Sequence, residues 1–291
     1  MNANLSGSLW MIASMAGFAV EDAFIKAVSS TLPVGQILIL FGLGGAVIFA
    51  CLARLAGDTF FNRDVKSRAM VSRVGFEITG RLFYTLAIVL TPLSAATVIL
   101  QATPLVVVAG AALVFGEHVG WRRWSAILVG FLGVIVIVQP GTGGFSALSL
   151  LALSGMLGFA GRDLASRAAP VSLSTYILGL YGFVALMAAG GLVAIWEGAD
   201  FQRPDAMGWA FLLGAILCGV FAYGSLMKAM RTGEVSAVTP FRYTRLLFGI
   251  ALGVFVFGER VTWPMAAGSG LIVLSGLFIL WRGQRAQPAK P

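Results

Sequence analysis

Long apolar runs alternate with short polar breaks along almost the whole chain. A helix that spans a membrane needs about 20 mostly apolar residues, and the runs between charged, proline or glycine breaks approach that length. Ten membrane-spanning helices are therefore predicted, at residues 5–27, 32–55, 69–90, 93–115, 120–139, 146–166, 173–196, 207–229, 235–257 and 263–281. The breaks at 91–92 and 140–144 are short, so the helices on either side of each break are predicted to be antiparallel neighbours.

The first apolar run is repeated in the second half of the chain. Residues 9–26 (LWMIASMAGFAVEDAFIK) return 141 positions later as residues 150–167 (LLALSGMLGFAGRDLASR). A second match relates FGEHVGW at 115–121 to FGERVTW at 257–263, a shift of 142 positions. Two matches at nearly one shift indicate a duplicated unit of about 140 residues with five helices in each copy, and such internal repeats are typical of membrane transporters.

The distribution of Lys and Arg predicts how these helices cross the membrane. Cytoplasmic loops carry an excess of these cations. Thirteen of them, Arg73 included, are assigned to the side that holds both termini, against three on the other side, so both ends are predicted to be cytoplasmic. Because each repeat has an odd number of helices, the second copy (142–291) inserts upside down relative to the first (1–141). The predicted fold is an all-α integral membrane protein with ten transmembrane helices in two inverted five-helix repeats, which permits alternating access.

Composition narrows the class of protein further. The chain is 58% hydrophobic and 11% charged, whereas soluble domains are about 25% charged. The net charge of +8 is assigned to cytoplasmic loops, so no nucleic-acid partner is expected. A single histidine, His118, and two cysteines in apolar runs, Cys51 and Cys218, argue against a metal site or an enzyme active site. The sequence also lacks phosphate-binding loops and hydrolase motifs, so neither an ATP-driven step nor a cofactor is expected.

Three features together resemble the drug/metabolite transporter superfamily, in particular its ten-helix bacterial members built from two EamA-type repeats. They are the duplicated GFAxxD stretch with a cation four residues later, the ATPL stretch at 102–105, and the paired FGE turns. The chain departs from symmetry where Arg245 and Leu246 stand opposite Thr103 and Pro104. The resemblance implies an exporter or facilitator of amino acids, nucleobases, vitamins or related metabolites, and the YddG-type exporters of aromatic amino acids are similar in length and layout.

Eight ionisable residues are predicted at membrane depth, where charges are costly and usually face a cavity or a partner. Six of them form the candidate gating or ion-pair set: Glu21, Asp22, Glu77, Arg81, Arg162 and Asp163. Glu77 and Arg81 lie four residues apart, which brings their side chains together on one helix face. They are predicted either to line the transport pathway or to form an internal ion pair. Asp22 and Asp163 are equivalent in the two repeats. They are predicted either to gate the two sides by meeting a base of the other repeat, or to pair with Lys26 and Arg167. Glu21 and Arg162, equivalent positions of opposite charge, are a further candidate pair.

A second candidate set is predicted to contact the substrate. Arg242 and Arg245 lie three apart in the ninth segment, where a guanidinium can bind a substrate carboxylate through two parallel hydrogen bonds; the alternative is that they neutralise Glu77 or Glu21. Pro104 is predicted to kink the fourth helix, and the deep aromatic residues either line a pocket or pack the core. The complete predicted set is Phe18, Tyr84, Gln101, Pro104, Phe159, Tyr223, Arg242, Tyr243 and Arg245.

The predicted function is a secondary exporter of small organic metabolites in a bacterial inner membrane. Amino acids, including aromatic ones, are the expected substrates, and the lipid bilayer is the expected surrounding. A carrier of riboflavin, a purine or a cationic drug is the alternative within the superfamily, and a membrane-embedded pore or scaffold is the alternative outside it. Both a monomer and a homodimer are compatible with the glycine-rich helix faces.

Overall fold

The computed structural model describes residues 3–61, 63–116, 120–139, 146–170, 172–232 and 239–285. Within these ranges the chain forms helices and no β-strands. The α-helices are α1 (Ala3–Val28), α2 (Val34–Leu55), α3 (Arg68–Leu90), α4 (Leu93–Leu100), α5 (Thr103–Phe115), α6 (Trp121–Val138), α7 (Ser149–Arg167), α8 (Thr175–Glu197), α9 (Ala206–Thr232), α10 (Thr244–Phe257) and α11 (Trp263–Arg285). The predicted turn at 140–144, the boundary between the predicted repeats and His118 lie outside the described residues.

All ten predicted segments are helical in the described part of the chain. The fourth consists of α4 and α5 together, and the ninth of a 3-10 helix (Thr239–Tyr243) followed by α10. Helices α1, α2, α4–α5, α8 and α9 are long and apolar enough to cross a membrane by length and composition, and α6 and α11 contain shorter apolar stretches. Large apolar side chains such as Ile195 and Phe255 are exposed on the outside of the bundle, as a surface in contact with lipid requires. The chain is a multi-pass, all-helical membrane protein.

The packing of the helices repeats between the two halves. Counterparts are α1 and α7, α2 and α8, α3 and α9, α4–α5 and α10, and α6 and α11. Helix α1 packs on α9, and its counterpart α7 packs on α3; α2 packs on its own counterpart α8, α6 on α11 and α4 on α10. Exchanging the halves leaves this set of contacts unchanged, as a two-fold axis between inverted repeats requires.

Small residues permit the two crossed contacts that surround the middle of the bundle. A Cβ atom at Gly158 of α7 would lie 2.4 Å from the backbone nitrogen of Gly80 of α3. The equivalent contact joins Gly17 of α1 to Ala222 of α9, where an added Cβ atom would lie 3.0 Å from the alanine Cβ. Close backbone approach through small residues is the usual way in which membrane helices pack, and here it brings α1, α3, α7 and α9 together.

Both the fourth and the ninth segments are interrupted at equivalent positions. The α-helical hydrogen bonding stops at Gln101 and Ala102, whose amides donate to carbonyls three residues earlier, and Pro104 follows in the first turn of α5. Tyr243, which is 142 residues after Gln101, ends the 3-10 helix before α10. The interruption therefore recurs in the second half, where Leu246 stands at the position equivalent to Pro104. In each half a threonine hydroxyl close to the break, Thr103 or Thr244, donates to the carbonyl three residues before it.

The bundle has two faces. The terminal face is the one at which α1 begins and α11 ends, and the distal face is the one at which α1 ends. Helices α2 and α8 are tied across the halves at both faces. At the distal face Glu197 accepts hydrogen bonds from the amides of Val34 (3.2 Å) and Gly35 (3.0 Å). At the terminal face the hydroxyl of Ser174 donates to Asp58.

Candidate functional site

A cavity of about 70 Å³ lies between the two repeats. It is surrounded by α1, α3 and the α4–α5 break from the first repeat and by α7, α9 and the segment 239–257 from the second. Its lining residues are Met15, Phe18, Arg81, Leu100, Gln101, Thr103, Pro104, Phe159, Arg162, Asp163, Leu226, Arg242 and Arg245. The fourth and ninth segments supply six of these residues, all at or beside their interruptions, so irregular backbone occurs where it borders a cavity inside the protein.

Arg242 and Arg245 bind the two equivalent aspartates. The Nη2 atom of Arg245 lies 2.6 Å from Oδ2 of Asp22 on α1, and that of Arg242 lies 3.3 Å from Oδ2 of Asp163 on α7. Tyr84 also donates its hydroxyl to Oδ2 of Asp22, at 3.1 Å. Asp22 therefore meets a base of the other repeat, whereas Asp163 meets bases of its own repeat. The direct ion-pair partner of each of these arginines is thus an aspartate and not Glu77 or Glu21.

Glu21 and Glu77 have partners that sequence spacing did not predict. Arg81 Nη1 lies 2.7 Å from Oε1 of Glu21. Glu77 faces Arg162, at 3.3 Å, and Arg73, at 3.7 Å. The predicted pairs Glu77–Arg81 and Glu21–Arg162 are therefore wrong. The physical reason is the position of α3 between α1 and α7: Arg81 reaches α1, while Glu77, one turn earlier, reaches α7.

Arg73 is a buried member of the charged network behind the cavity, and the sequence did not single it out because it was counted among the cations of the cytoplasmic side. Only 2% of Arg73 is exposed. Its Nε donates to the Ser166 hydroxyl (2.9 Å) and its Nη2 to the Tyr223 hydroxyl (3.0 Å), so it joins α3 to α7 and α9. One signal was available: Arg73 precedes Glu77 by four residues, the helical spacing that brings two side chains together.

The described charged network contains more guanidinium groups than carboxylates. Around Asp22 the charges balance, with Glu21 and Asp22 facing Arg81 and Arg245. Around Asp163 two carboxylates face three guanidinium groups, those of Arg73, Arg162 and Arg242. The cavity wall itself holds four arginines and a single acid, Asp163. A cavity wall with this composition attracts anionic groups and presents planar donors that match a carboxylate.

The aromatic rings of the cavity lie against these guanidinium groups. The Arg245 guanidinium is 5.2 Å from the ring centroid of Phe18, and that of Arg162 is 4.8 Å from the ring centroid of Phe159. Arg81 also approaches the Phe159 ring, at 5.8 Å. Phe18 and Phe159 are equivalent in the two repeats, and each has a cation–π contact, although the arginines that make it, Arg245 and Arg162, are not at equivalent positions.

The structure places the predicted substrate-contacting residues in two groups. Phe18, Gln101, Pro104, Phe159, Arg242 and Arg245 line the cavity, whereas Tyr84, Tyr223 and Tyr243 do not. Of those three, Tyr84 binds Asp22 and Tyr223 binds Arg73. Tyr243 is buried against α11, where its hydroxyl occupies the space that a Cβ atom at Gly276 would need. Gln101 donates to the carbonyl of Arg242 at 3.3 Å, which joins the two helix interruptions.

The predicted gating and ion-pair residues also divide into two groups. Arg81, Arg162 and Asp163 border the cavity. Glu21, Asp22 and Glu77 lie behind them, and all three are buried. These acids therefore hold the cavity arginines from the protein side and leave the guanidinium groups facing the cavity.

A further charged contact lies at the distal face, away from the cavity. The carboxylate of Glu259 accepts hydrogen bonds from the amides of Leu93 (2.7 Å) and Ser94 (2.9 Å) and from the Ser94 hydroxyl (2.7 Å), which caps the start of α4. Lys26 lies 3.6 Å from the same carboxylate and donates to the carbonyls of Ile88 and Thr91. The predicted pairing of Lys26 with Asp22 is thus wrong. Glu259 instead joins the two repeats. Its equivalent, Glu117, and the side chain of Arg167 lie outside the described residues.

A duplicated bundle of ten spans with a charged cavity between its halves defines a multi-pass membrane transporter. The chain belongs to the EamA-like transporter family, whose profile matches residues 5–139 and 143–281. A solved structure, described only as the crystal structure of a protein, has a TM-score of 0.63 and 19% identity, and the match covers 94% of this chain and 96% of that one. At this identity the solved structure supports the fold alone.

Named relatives match almost the full length of the chain. It is 27% identical to the riboflavin transporter of Vibrio cholerae, over 97% of this chain and 96% of the relative. It is 23% identical to the S-adenosylmethionine uptake transporter of Rickettsia prowazekii, over 98% of this chain and 96% of that relative. It is 26% identical to the pseudopaline exporter CntI of Pseudomonas aeruginosa, over 93% of this chain and 94% of that relative. The family prediction is confirmed, and these relatives are transporters and not enzymes; the similarity to YddG-type exporters stays a prediction.

Proposed function

We propose that the protein is a secondary carrier of small organic metabolites that bear a carboxylate, with amino acids, including aromatic ones, as the principal class. The composition of the cavity wall supports this proposal most directly, since it holds four guanidinium groups and one acid. The carboxylate of the substrate binds at Arg242 and Arg162, beside Asp163, where guanidinium groups outnumber carboxylates. Asp163 is then adjacent to the ammonium group of the same substrate.

The relatives support small-metabolite transport in general terms. Among their names, S-adenosylmethionine contains a methionine portion with a carboxylate, which fits the cation-rich cavity. We propose transport without ATP, driven either by the gradient of the substrate alone or by coupling to protons. We place the protein in a bacterial inner membrane with both termini cytoplasmic, where it exports substrate down an outward gradient. Without the buried Arg73, twelve cations remain on the terminal side, against three on the distal side, which still supports cytoplasmic termini.

Counterflow in liposomes that contain only this protein tests the proposal. Liposomes preloaded with unlabelled phenylalanine should accumulate labelled phenylalanine saturably. Unlabelled phenylalanine and threonine should compete, whereas phenylalaninamide, which keeps the ring and the ammonium group but lacks the carboxylate, should not. Equal competition by the amide, or no amino-acid counterflow by folded protein, would contradict the proposed substrate class.

A riboflavin carrier is the second candidate, and the comparisons favour it specifically. The relatives named riboflavin transporters include those of Vibrio cholerae, at 27% identity, and Rhizobium johnstonii, at 26%. The same guanidinium groups can donate hydrogen bonds to the neutral carbonyl oxygens of a flavin ring. Saturable riboflavin counterflow that phenylalanine does not inhibit would establish this alternative over the first.

A further inference from the structure

The two phenylalanines of the cavity expose little of their rings to it. Phe18 is 8% exposed and Phe159 is 6% exposed, although both border the cavity. The guanidinium groups of Arg245 and Arg162 lie over them at 5.2 and 4.8 Å. A substrate ring that stacked on either phenylalanine would compete with these arginines for the ring.

Phe159 contacts two arginines that belong to different ion pairs. Arg162 binds Asp163 through Nη2, at 2.8 Å, and Arg81 binds Glu21. The Tyr84 ring packs edge-on against Phe159, with 5.7 Å between the centroids. The Phe159 ring therefore contacts both Arg81 and Arg162, and it limits where both guanidinium groups can move.

Phe18, in the first repeat, limits the movement of the Arg245 guanidinium in the same way. The guanidinium of Arg245 lies over the rings of Phe18 and Tyr84, at 5.2 and 5.7 Å, while its Nη2 binds Asp22. An acid and an aromatic ring thus hold this arginine from two directions. The same combination of acid and ring holds Arg162, through Asp163 and Phe159.

We propose that Phe18 and Phe159 are positioning residues that hold the cavity arginines for a carboxylate, and that they are not stacking surfaces for the substrate. This inference rests on the proposed function. Specificity then depends on the charged group that amino acids share, and the side chain of the substrate contributes little through these two rings. Replacing either ring by an aliphatic side chain lets the guanidinium move away from the geometry in which it binds a carboxylate in two parallel hydrogen bonds.

Transport by Phe159→Leu and Phe18→Leu in liposomes tests this inference. The half-saturation constants for phenylalanine and threonine should rise by the same factor, about tenfold, which corresponds to losing one charge-assisted contact. The preference for phenylalanine over phenylalaninamide should fall by a similar factor. A loss confined to phenylalanine, with threonine unchanged, would overturn the inference in favour of stacking.

Two further variants separate positioning from a general loss of structure. Phe159→Tyr keeps an aromatic face and should restore the wild-type constants, whereas the leucine variant should not. Phe24→Leu removes a ring of α1 that packs on Phe211, outside the cavity lining, and should leave the carboxylate preference unchanged. If Phe24→Leu lowers the preference as much as Phe18→Leu, or Phe159→Tyr fails to restore it, the inference is wrong. Wild-type counterflow is measured beside them, so failure of the proposed function is recognised separately.

Discussion

Asp22 and Asp163 occupy equivalent positions in the two repeats, yet both bind arginines of one segment of the second repeat. The two environments differ. Asp22 is buried and has Arg245 as its ion-pair partner, whereas Asp163 borders the cavity and is shared by Arg162 and Arg242. The duplicated sequence therefore supports two unequal sites, and equivalent substitutions should have unequal effects.

Arg245→Gln should reduce stability strongly as well as substrate affinity. Removing one partner of a buried ion pair leaves an uncompensated charge, here that of Asp22, and typically costs about 3–5 kcal/mol. The double variant Asp22→Asn, Arg245→Gln removes both charges and should recover most of the unfolding temperature without recovering amino-acid transport. Thermal unfolding in detergent and counterflow in liposomes measure the two effects. Additive losses of stability in the double variant would contradict the pairing.

Arg242→Gln should weaken substrate binding while changing stability little. Asp163 retains Arg162, at 2.8 Å, and 23% of the Arg242 side chain is exposed. We expect the half-saturation constant for amino acids to rise about tenfold, or about 1.4 kcal/mol, with an unfolding temperature close to that of the wild type. Arg242→Lys keeps the charge but not the planar pair of donors and should recover only part of the affinity. Wild-type affinity in Arg242→Gln would exclude this arginine from the substrate site.

Arg73→Met should destabilise the bundle with little effect on substrate affinity. Arg73 lies behind the cavity, and its loss removes the donors to Ser166 and Tyr223. Leaving the buried Tyr223 hydroxyl without this partner typically costs about 1–3 kcal/mol, while the Ser166 hydroxyl keeps its bond to the carbonyl of Arg162. Arg54→Met is the matched control, because Arg54 lies on the exposed end of α2, and its unfolding temperature should stay near that of the wild type. A stable Arg73→Met variant with weakened substrate binding would instead place Arg73 in the site.

Gly158→Ala should disturb the contact between α7 and α3. The added Cβ atom would lie 2.4 Å from the backbone nitrogen of Gly80, and backbone atoms cannot move aside without separating the helices. Gly224→Ala on α9 is the control, since no atom lies within 4 Å of its added Cβ. The control should be neutral or stabilise by about 0.5–1 kcal/mol, because alanine favours a helix over glycine. Similar unfolding temperatures for the two variants would argue against a tight α3–α7 contact.

The fold was more accessible from the sequence than the ion pairs were. Long apolar runs and the duplication at 9–26 and 150–167 depend only on composition along the chain, and they predicted all ten segments. Ion pairs depend on how each helix is rotated against its neighbours, which no single helix encodes. Glu77 and Arg81 share a helix face, yet they bind groups on opposite neighbours. Arg73 was counted among the cations of the cytoplasmic side because hydropathy cannot distinguish a charge at the end of a span from one buried just inside it.

The contact between Glu259 and the start of α4 should control opening of the distal face. In alternating access each face opens in turn, and α4 cannot move away from the second repeat at this face while Glu259 holds the amides of Leu93 and Ser94.

We therefore expect Glu259→Gln, which weakens these charge-assisted hydrogen bonds and removes the attraction to Lys26, to populate a more open distal face. Spin labels at the exposed positions Ser30 and Val261, in a variant without Cys51 and Cys218, should then show a larger fraction of long distances. Glu197→Gln is the matched control, because Glu197 caps α2 across the repeats at the same face through Val34 and Gly35, and α2 and α8 need not separate. Identical distance distributions in wild type and Glu259→Gln would show that this contact does not hold the distal face closed, and an equal shift in Glu197→Gln would show that any weakened cap opens it.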